Sequence, residues 1–295
     1  MTSFRSIITN KKLDFKARKD IDPEHNQGME VIPQILTSDP EDFLDTAVKL
    51  KEYGYTEVNL NLGCPSGTVA AKGKGAGFLK DTEKLARFLG EVSEGMEREN
   101  LHFSIKTRVG VESEEEFQTL LGLYNQCPLT ELIIHPRVLK DFYKYNVRMN
   151  AFKEGFEKSR HSVCYNGDIF RRKDYDRLVK EYPDLDKIMM GRGIMMNPFL
   201  MEEIADGTSQ KVSGKMSADR KAARLEKFHR LLCDGYTHVM SGDRPVLFKM
   251  KELWGFLIHS CPEEEKLMKK IRKAQHLAEY EGVVSELFCR MREHE

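Results

Sequence analysis

Several stretches of this 295-residue chain group side chains able to move protons or hold anions. In Glu57-Val58-Asn59-Leu60-Asn61-Leu62, followed at once by Gly63-Cys64-Pro65, a lone thiol ends a run that alternates amides with aliphatics. Ser104-Ile105-Lys106-Thr107-Arg108 repeats the alternation with a hydroxyl, an ammonium and a guanidinium on one side. Buried cations are costly when unpaired, so Lys106 and Arg108 imply either an anionic or polar ligand or a carboxylate from a neighbouring strand. The thiol also has two readings: a cysteine beside proline is commonly an inert small residue, whereas one on a loop that follows a strand is placed for catalysis. Further along stand His135-Pro136-Arg137, Asn166-Gly167-Asp168 and Gly191-Arg192-Gly193. Backbone N–H groups of such glycine-bearing segments suit a phosphate, and plain tight turns need the same glycines.

These groups act together only if a scaffold brings strand ends to one place. A two-residue period puts Val58, Leu60 and Leu62 on one face and Asn59 and Asn61 on the other. Strand-like runs at 31–36, 57–62, 102–107, 131–135, 162–166 and 187–191 alternate with amphipathic stretches, the pattern of a parallel sheet with crossover helices. After the first run, Ser38-Asp39-Pro40 supplies an N-cap and an early proline, Phe43, Leu44, Ala47, Val48 and Leu50 an apolar face, and Gly54 a stop. Later helices are predicted at 82–97, 114–126, 149–159 and 172–181. The order points to a TIM-type (β/α)-barrel whose mouth, at the C-terminal strand ends, is the expected site. Six strands are readable against the eight of a closed barrel, with Ser6-Ile7-Ile8-Thr9 a weak addition, so a barrel lacking its first strand or strands is expected. From residue 217 only helices are predicted, at 218–240, 245–259 and 263–292. The polar stretch 206–215 then separates a barrel domain, 1–205, from a C-terminal all-helical domain, 216–295.

Bulk properties narrow the classes. Apolar residues make up 40% of the chain and charged ones 32%, as in a globular protein. No apolar run approaches the ~20 residues of a membrane helix, and no secretory signal is present. With 47 cationic and 47 anionic side chains, any nucleic-acid contact must come from a local patch. Six scattered cysteines without a C-x-x-C pair argue against a zinc site or redox dithiol and for reduced thiols in a cytoplasmic protein.

Taken in order, these segments resemble the dihydrouridine synthase family of flavoproteins, from about residue 24 to 200, with a looser likeness in the helical tail. The most specific block is Asn59-Leu60-Asn61-Leu62-Gly63-Cys64-Pro65 with Val69 and Gly73-Lys74-Gly75-Ala76-Gly77. Pro33-Gln34-Ile35, Ser104 to Arg108, Ile134 to Arg137, Tyr165 to Ile169 and Met190 to Gly193 support it. The resemblance implies FMN in the barrel mouth, reduced by NADPH, which passes hydride from N5 to C6 of a uracil in tRNA. It makes Cys64 the general acid for C5, a role that a protonated thiol can fill. It sets Lys106 beside the flavin N1 and C2 oxygen, and Gln34 against the pyrimidine edge. It gives His135, Asn166, Gly167, Asp168, Gly191 and Arg192 to the ribityl chain and phosphate. Asn61 and Arg108 would read the uracil edge, and Tyr143 or Tyr145 would stack on a base that has left its helix. Lys266, Lys269, Lys270, Arg272 and Lys273 in the tail would meet tRNA phosphates or, more simply, face solvent. A cytoplasmic monomer with no membrane contact is expected.

The sequence departs from the family pattern in two places. Pro136 stands where the family often has glycine after the histidine. No strand with the family's proline-methionine pair precedes Gln34, so weak or absent flavin retention is expected. Two other functions share parts of the pattern: a dihydroorotate-dehydrogenase-like flavoprotein acting on a free pyrimidine, and a non-catalytic tRNA-binding protein.

Overall fold

The computed structural model describes residues 5–10, 20–208, 217–261 and 264–293. Seven strands form one parallel sheet in chain order: β1 (Arg5–Asn10), β2 (Glu30–Ile35), β3 (Glu57–Leu62), β4 (His102–Gly110), β5 (Leu132–Val138), β6 (Val163–Asn166) and β7 (Lys187–Met189). Parallel neighbours cannot be joined by a tight hairpin, so the chain must cross back after each strand. Helices do so after β2 to β6: α1 (Pro40–Glu52), α2 (Gly67–Ala70) with α3 (Thr82–Arg98), α4 (Glu116–Tyr124), α5 (Met149–Lys158) and α6 (Arg172–Glu181). This is the expected (β/α)-barrel arrangement. The weak run at Ser6 to Thr9 is a full strand, in register with β2 from Arg5 opposite Glu30 to Asn10 opposite Ile35. Among the described residues there is neither an eighth strand nor a pairing of β7 with β1.

The chain forms two compact units, residues 1–167 with 184–189, and residues 168–183 with 190–295. The first holds the whole sheet and α1 to α5. Local chemistry sets its helices: Asp39 accepts from the Asp42 N–H at 3.1 Å to cap α1, Pro40 opens the first turn, and Gly54, at φ 88°, follows the last. Phe43 of α1 then packs edge-to-face on Phe88 of α3 and Phe103 of β4, and Phe78 extends the cluster.

The second unit contains α6, α7 (Arg192–Met196), α8 (Leu200–Thr208), α9 (Ala218–Val239), α10 (Asp243–Leu257), α11 (Glu265–Lys273) and α12 (Leu277–Glu293). Short α7 and α8 lack the turns needed to show a 3.6-residue period, and the sequence reading passes over them. The single helix expected at 263–292 is two. Ala274 turns the chain into an extended conformation, and Glu279 accepts from the Gln275 N–H at 2.8 Å, starting α12 afresh. No proline or glycine marks that break. The expected linker at 206–215 lies largely outside the described residues.

Leu225, Met250, Trp254, Ile271, Tyr280 and Phe288 form the core of this unit. His229 is buried among them, its Nε2 bonded to the Tyr280 hydroxyl, which in turn accepts from Trp254 Nε1 at 2.9 Å. Burial lowers the His229 pKa from the usual 6.5 to about 4. The unfolded chain therefore binds the extra proton first as pH falls, so this contribution is intact above 6.5 and lost between 6.5 and 4. Its size is on the order of 3 kcal/mol for a shift from 6.5 to about 4. Urea unfolding followed by fluorescence of Trp254, the chain's one tryptophan, is expected to lose that much more stability over this pH range in wild type than in His229→Gln. Equal losses in both proteins would show that His229 is not the acid-sensitive group.

Candidate active site

Strand register sets polar side chains side by side. Gln34 of β2 lies opposite Asn59 of β3, and Asn59 opposite Ser104 of β4. Two residues further along the strands, Asn61 lies opposite Lys106, and beyond it Arg108 of β4 opposite His135 of β5. The amides are buried, and a buried amide must find partners within the protein. They find one another: Gln34 Nε2 donates to Asn59 Oδ1 at 2.7 Å, Asn59 Nδ2 to Ser104 Oγ at 2.9 Å, and Asn61 Nδ2 to Gln34 Oε1 at 2.6 Å.

Asn61 carries this ladder into the thiol loop. Its Oδ1 accepts from the N–H groups of both Gly63 and Cys64 at 3.0 Å, an Asx-type turn that fixes the chain where Cys64 leaves the strand. The glycine-rich run closes over the other side. The Ala76 N–H donates to the Cys64 carbonyl at 3.1 Å, and Gly75, at φ 57°, lies so near that an added Cβ would sit 2.9 Å from Cys64 Cβ. At Gly77 a Cβ would meet the Ala70 carbonyl oxygen at 2.3 Å. Both positions exclude a side chain for steric reasons. Cys64 itself is half-buried and unbridged.

The two cations of β4 differ sharply in surroundings. Arg108 is fully buried and satisfied: it donates to the carbonyls of Gly63 at 3.0 Å, Val138 at 2.8 Å and Phe142 at 2.8 Å. Its guanidinium thereby ties the thiol loop to the loop after β5 and lies over the Tyr143 ring, 5.3 Å from its centroid. Lys106 has neither a hydrogen bond nor an ion pair among the described residues. The carboxylate at the start of β5, Glu131, pairs instead with Lys187 at 2.7 Å. Burial, aided by the like charge of Arg108, lowers the Lys106 pKa to about 8, while Cys164 and Cys64 act weakly in the opposite sense. Cys64 is thus within electrostatic reach of the amine.

His135 is buried and stacks on Tyr143, with ring centroids 5.9 Å apart. Its Nε2 lies 3.0 Å from Arg137 Nη1. A guanidinium only donates, so Nε2 accepts and the ring proton sits on Nδ1. Asn166, at the end of β6, donates to the Met189 carbonyl at 2.9 Å, with Gly167 directly after it. In the second unit Asp168 and Arg192 form an ion pair at 2.8 Å, the guanidinium lies over Phe170, and Gly191 precedes α7.

Of the residues singled out in the sequence, Gln34, Asn61, Cys64, Lys106, Arg108, His135 and Tyr143 form one connected group in the first unit. Asn166 and Gly167 belong to the same unit at the end of β6. Asp168, Gly191 and Arg192 belong to the second unit. The sequence reading did not single out Asn59, Ser104, Gly75 or Arg137 as site residues. Asn59 and Ser104 were already visible on the polar face of the alternation, and Arg137 stood beside His135.

A sequence model described as dihydrouridine synthase (Dus) matches residues 1–288. A probable tRNA-dihydrouridine synthase of Staphylococcus aureus (strain Mu50 / ATCC 700699) is 31% identical over 179 residues, which cover 59% of this chain and 53% of that protein. Probable tRNA-dihydrouridine synthase 2 of Bacillus subtilis (strain 168) is 30% identical with the same coverage. The chain spans about half the length of the relatives it matches. With a family match across nearly all its residues, and the thiol loop and polar ladder set beside the half-buried lysine on the neighbouring strand, this chain belongs to the dihydrouridine synthase family.

Proposed function

We propose that this chain reduces uridine in transfer RNA to dihydrouridine, using bound FMN that NADPH keeps reduced. The observation that carries the reading is the Lys106 amine, without a hydrogen bond or ion pair among the described residues and within electrostatic reach of Cys64 at its ordered turn. A half-buried, largely desolvated cation with no carboxylate partner among the described residues calls for a ligand with electron-rich oxygens, and the edge of a flavin ring fits that requirement. Reduced FMN, when bound, supplies the hydride that C6 of the uracil receives. Lys106 would offer its charge to the N1 and C2-oxygen edge, and Gln34, already held by Asn59 and Asn61, would border the pyrimidine edge.

Cys64 supplies the proton for C5. One hydride and one proton saturate the C5–C6 double bond, and the thiolate left behind regains its proton from solvent. Asn61 holds the Gly63 and Cys64 amides and so fixes the direction in which Sγ leaves the backbone. His135 and Asn166 are assigned to the ribityl chain. Arg108 and Asn61, whose polar groups are engaged within the protein, would border the uracil and hold the loops around it, with Tyr143 to stack on the ring. On α11, Lys269 and Lys270 pair with Glu265 and Glu286, so Lys266, Arg272 and Lys273 are the better candidates for phosphate contacts.

Cys64→Ala is expected to lower dihydrouridine formation by about a hundredfold or more, the usual weight of a positioned general acid, while FMN binding persists. Nucleoside mass spectrometry of treated tRNA reads the product, and wild-type yield from the variant would overturn the assignment.

Lys106 gives a second test. Its folded-state pKa, about 8, is below the ordinary 10.5, so the unfolded chain holds more protons between those values. Stability of the flavin-free protein therefore rises as pH rises through that window, and the full penalty remains below about pH 8. Lys106→Met is expected to make the flavin-free protein more stable at neutral pH, by up to about 3 kcal/mol given a lowering from 10.5 to about 8. The same variant should bind FMN more weakly in a fluorescence titration. A variant that is less stable and binds FMN normally would show that the amine serves the fold and not the cofactor.

A further inference from the structure

We propose that Phe142 and Tyr145 form a second stacking surface, one that takes an unpaired nucleotide next to the target uridine. The inference rests on the RNA substrate proposed above and concerns a contact outside the uridine's own place. Phe142 is 45% and Tyr145 63% exposed, in a loop whose residues 142–146 all face solvent. Exposed rings on a loose loop are unremarkable, but this loop is held fast. The Phe142 carbonyl accepts from buried Arg108, and the Tyr145 carbonyl accepts from buried Arg137 at 2.7 Å. Between them the Lys144 N–H donates to the Asp141 carbonyl at 3.0 Å, and the Asp141 carboxylate takes two bonds from Arg148 and one from the Val138 N–H.

This bracing keeps Phe142 at φ 48°, in the left-handed region that bulky residues seldom occupy. Two buried arginines therefore fix the backbone of two aromatic residues while leaving their rings in water. Tyr143, between them, differs: its ring already stacks on His135 and lies beneath Arg108. The neighbours of the outer rings are Lys144 and Asn146, both exposed, and Lys144 has no ion-pair partner among the described residues. Exposed rings on a fixed backbone, flanking an exposed cation, match a base and its phosphate better than an apolar protein face. Because every base offers a π-face, the contact should be tolerant of which base is present.

The test uses the full chain and a short single-stranded RNA carrying 2-aminopurine beside a uridine. Binding to wild type is expected to quench the 2-aminopurine fluorescence. Phe142→Ala with Tyr145→Ala should abolish the quench and weaken binding by about tenfold or more, while Phe142→Tyr with Tyr145→Phe should preserve both. Circular dichroism should show all three proteins equally folded, because only exposed rings change. An unquenched complex with wild type, no binding by wild type, or unaltered quenching by the alanine pair would each overturn the surface. Dihydrouridine formation by wild type is measured in parallel. Product without quenching defeats this inference and leaves the proposed function standing; quenching without product does the reverse.

Discussion

Asn61 joins the two halves of the candidate site through one side chain. Its amide nitrogen completes a buried ladder across three strands, and its oxygen holds the two N–H groups at which the thiol loop begins. Neither end could be left unmade, since a buried polar group without a partner costs about 1–3 kcal/mol. The position of Cys64 is therefore tied to the register of the sheet and not to the loop's own preferences. Gly75 presses on the same residue from the opposite side and removes the remaining latitude.

The pair Lys106 and Arg108 shows how one strand face can serve two ends. Both project from the polar side of β4 and both are cationic, yet Arg108 is anchored to three carbonyls while Lys106 has no such anchor. A guanidinium has a planar fork of donors and can bridge several backbone segments at once. An ammonium is a compact charge whose pKa responds to burial, which suits it to receive a ligand. The contrast gives Arg108 a structural task and leaves the Lys106 amine without one among the described residues, although their spacing in the sequence treats them alike.

Much of this was legible from residue order. The alternation in 57–62 and 104–108 separated an aliphatic from a polar face; both faces of β3 and β4 are largely buried, and the amides of the polar one are satisfied by bonds between neighbouring strands. The caps of α1 were visible as Asp39, Pro40 and Gly54 because their chemistry is local. The break at Ala274 was not, since a carboxylate about one turn ahead and no helix-breaking residue creates it. Nor could spacing reveal that Arg108 reaches Gly63 and Phe142, or that Glu131 turns to Lys187 and leaves Lys106 without a carboxylate. Those facts depend on which strands become neighbours, and a one-dimensional pattern carries no such information. Ser6 to Thr9 was too short a run to read with assurance until β2 supplied a partner along its whole length.

The strictly sequential order of the sheet bears on how the chain assembles itself. Each strand pairs with the one made just before it, so no strand waits for a distant segment to be synthesised. Closing each crossover spans only a few tens of residues, an entropic cost that grows slowly with length, and the growing edge always offers the correct template. A ribosome-bound chain can thus lay down the strands one by one, completing the Asn61 ladder as soon as β4 joins β3, well before the helical region emerges.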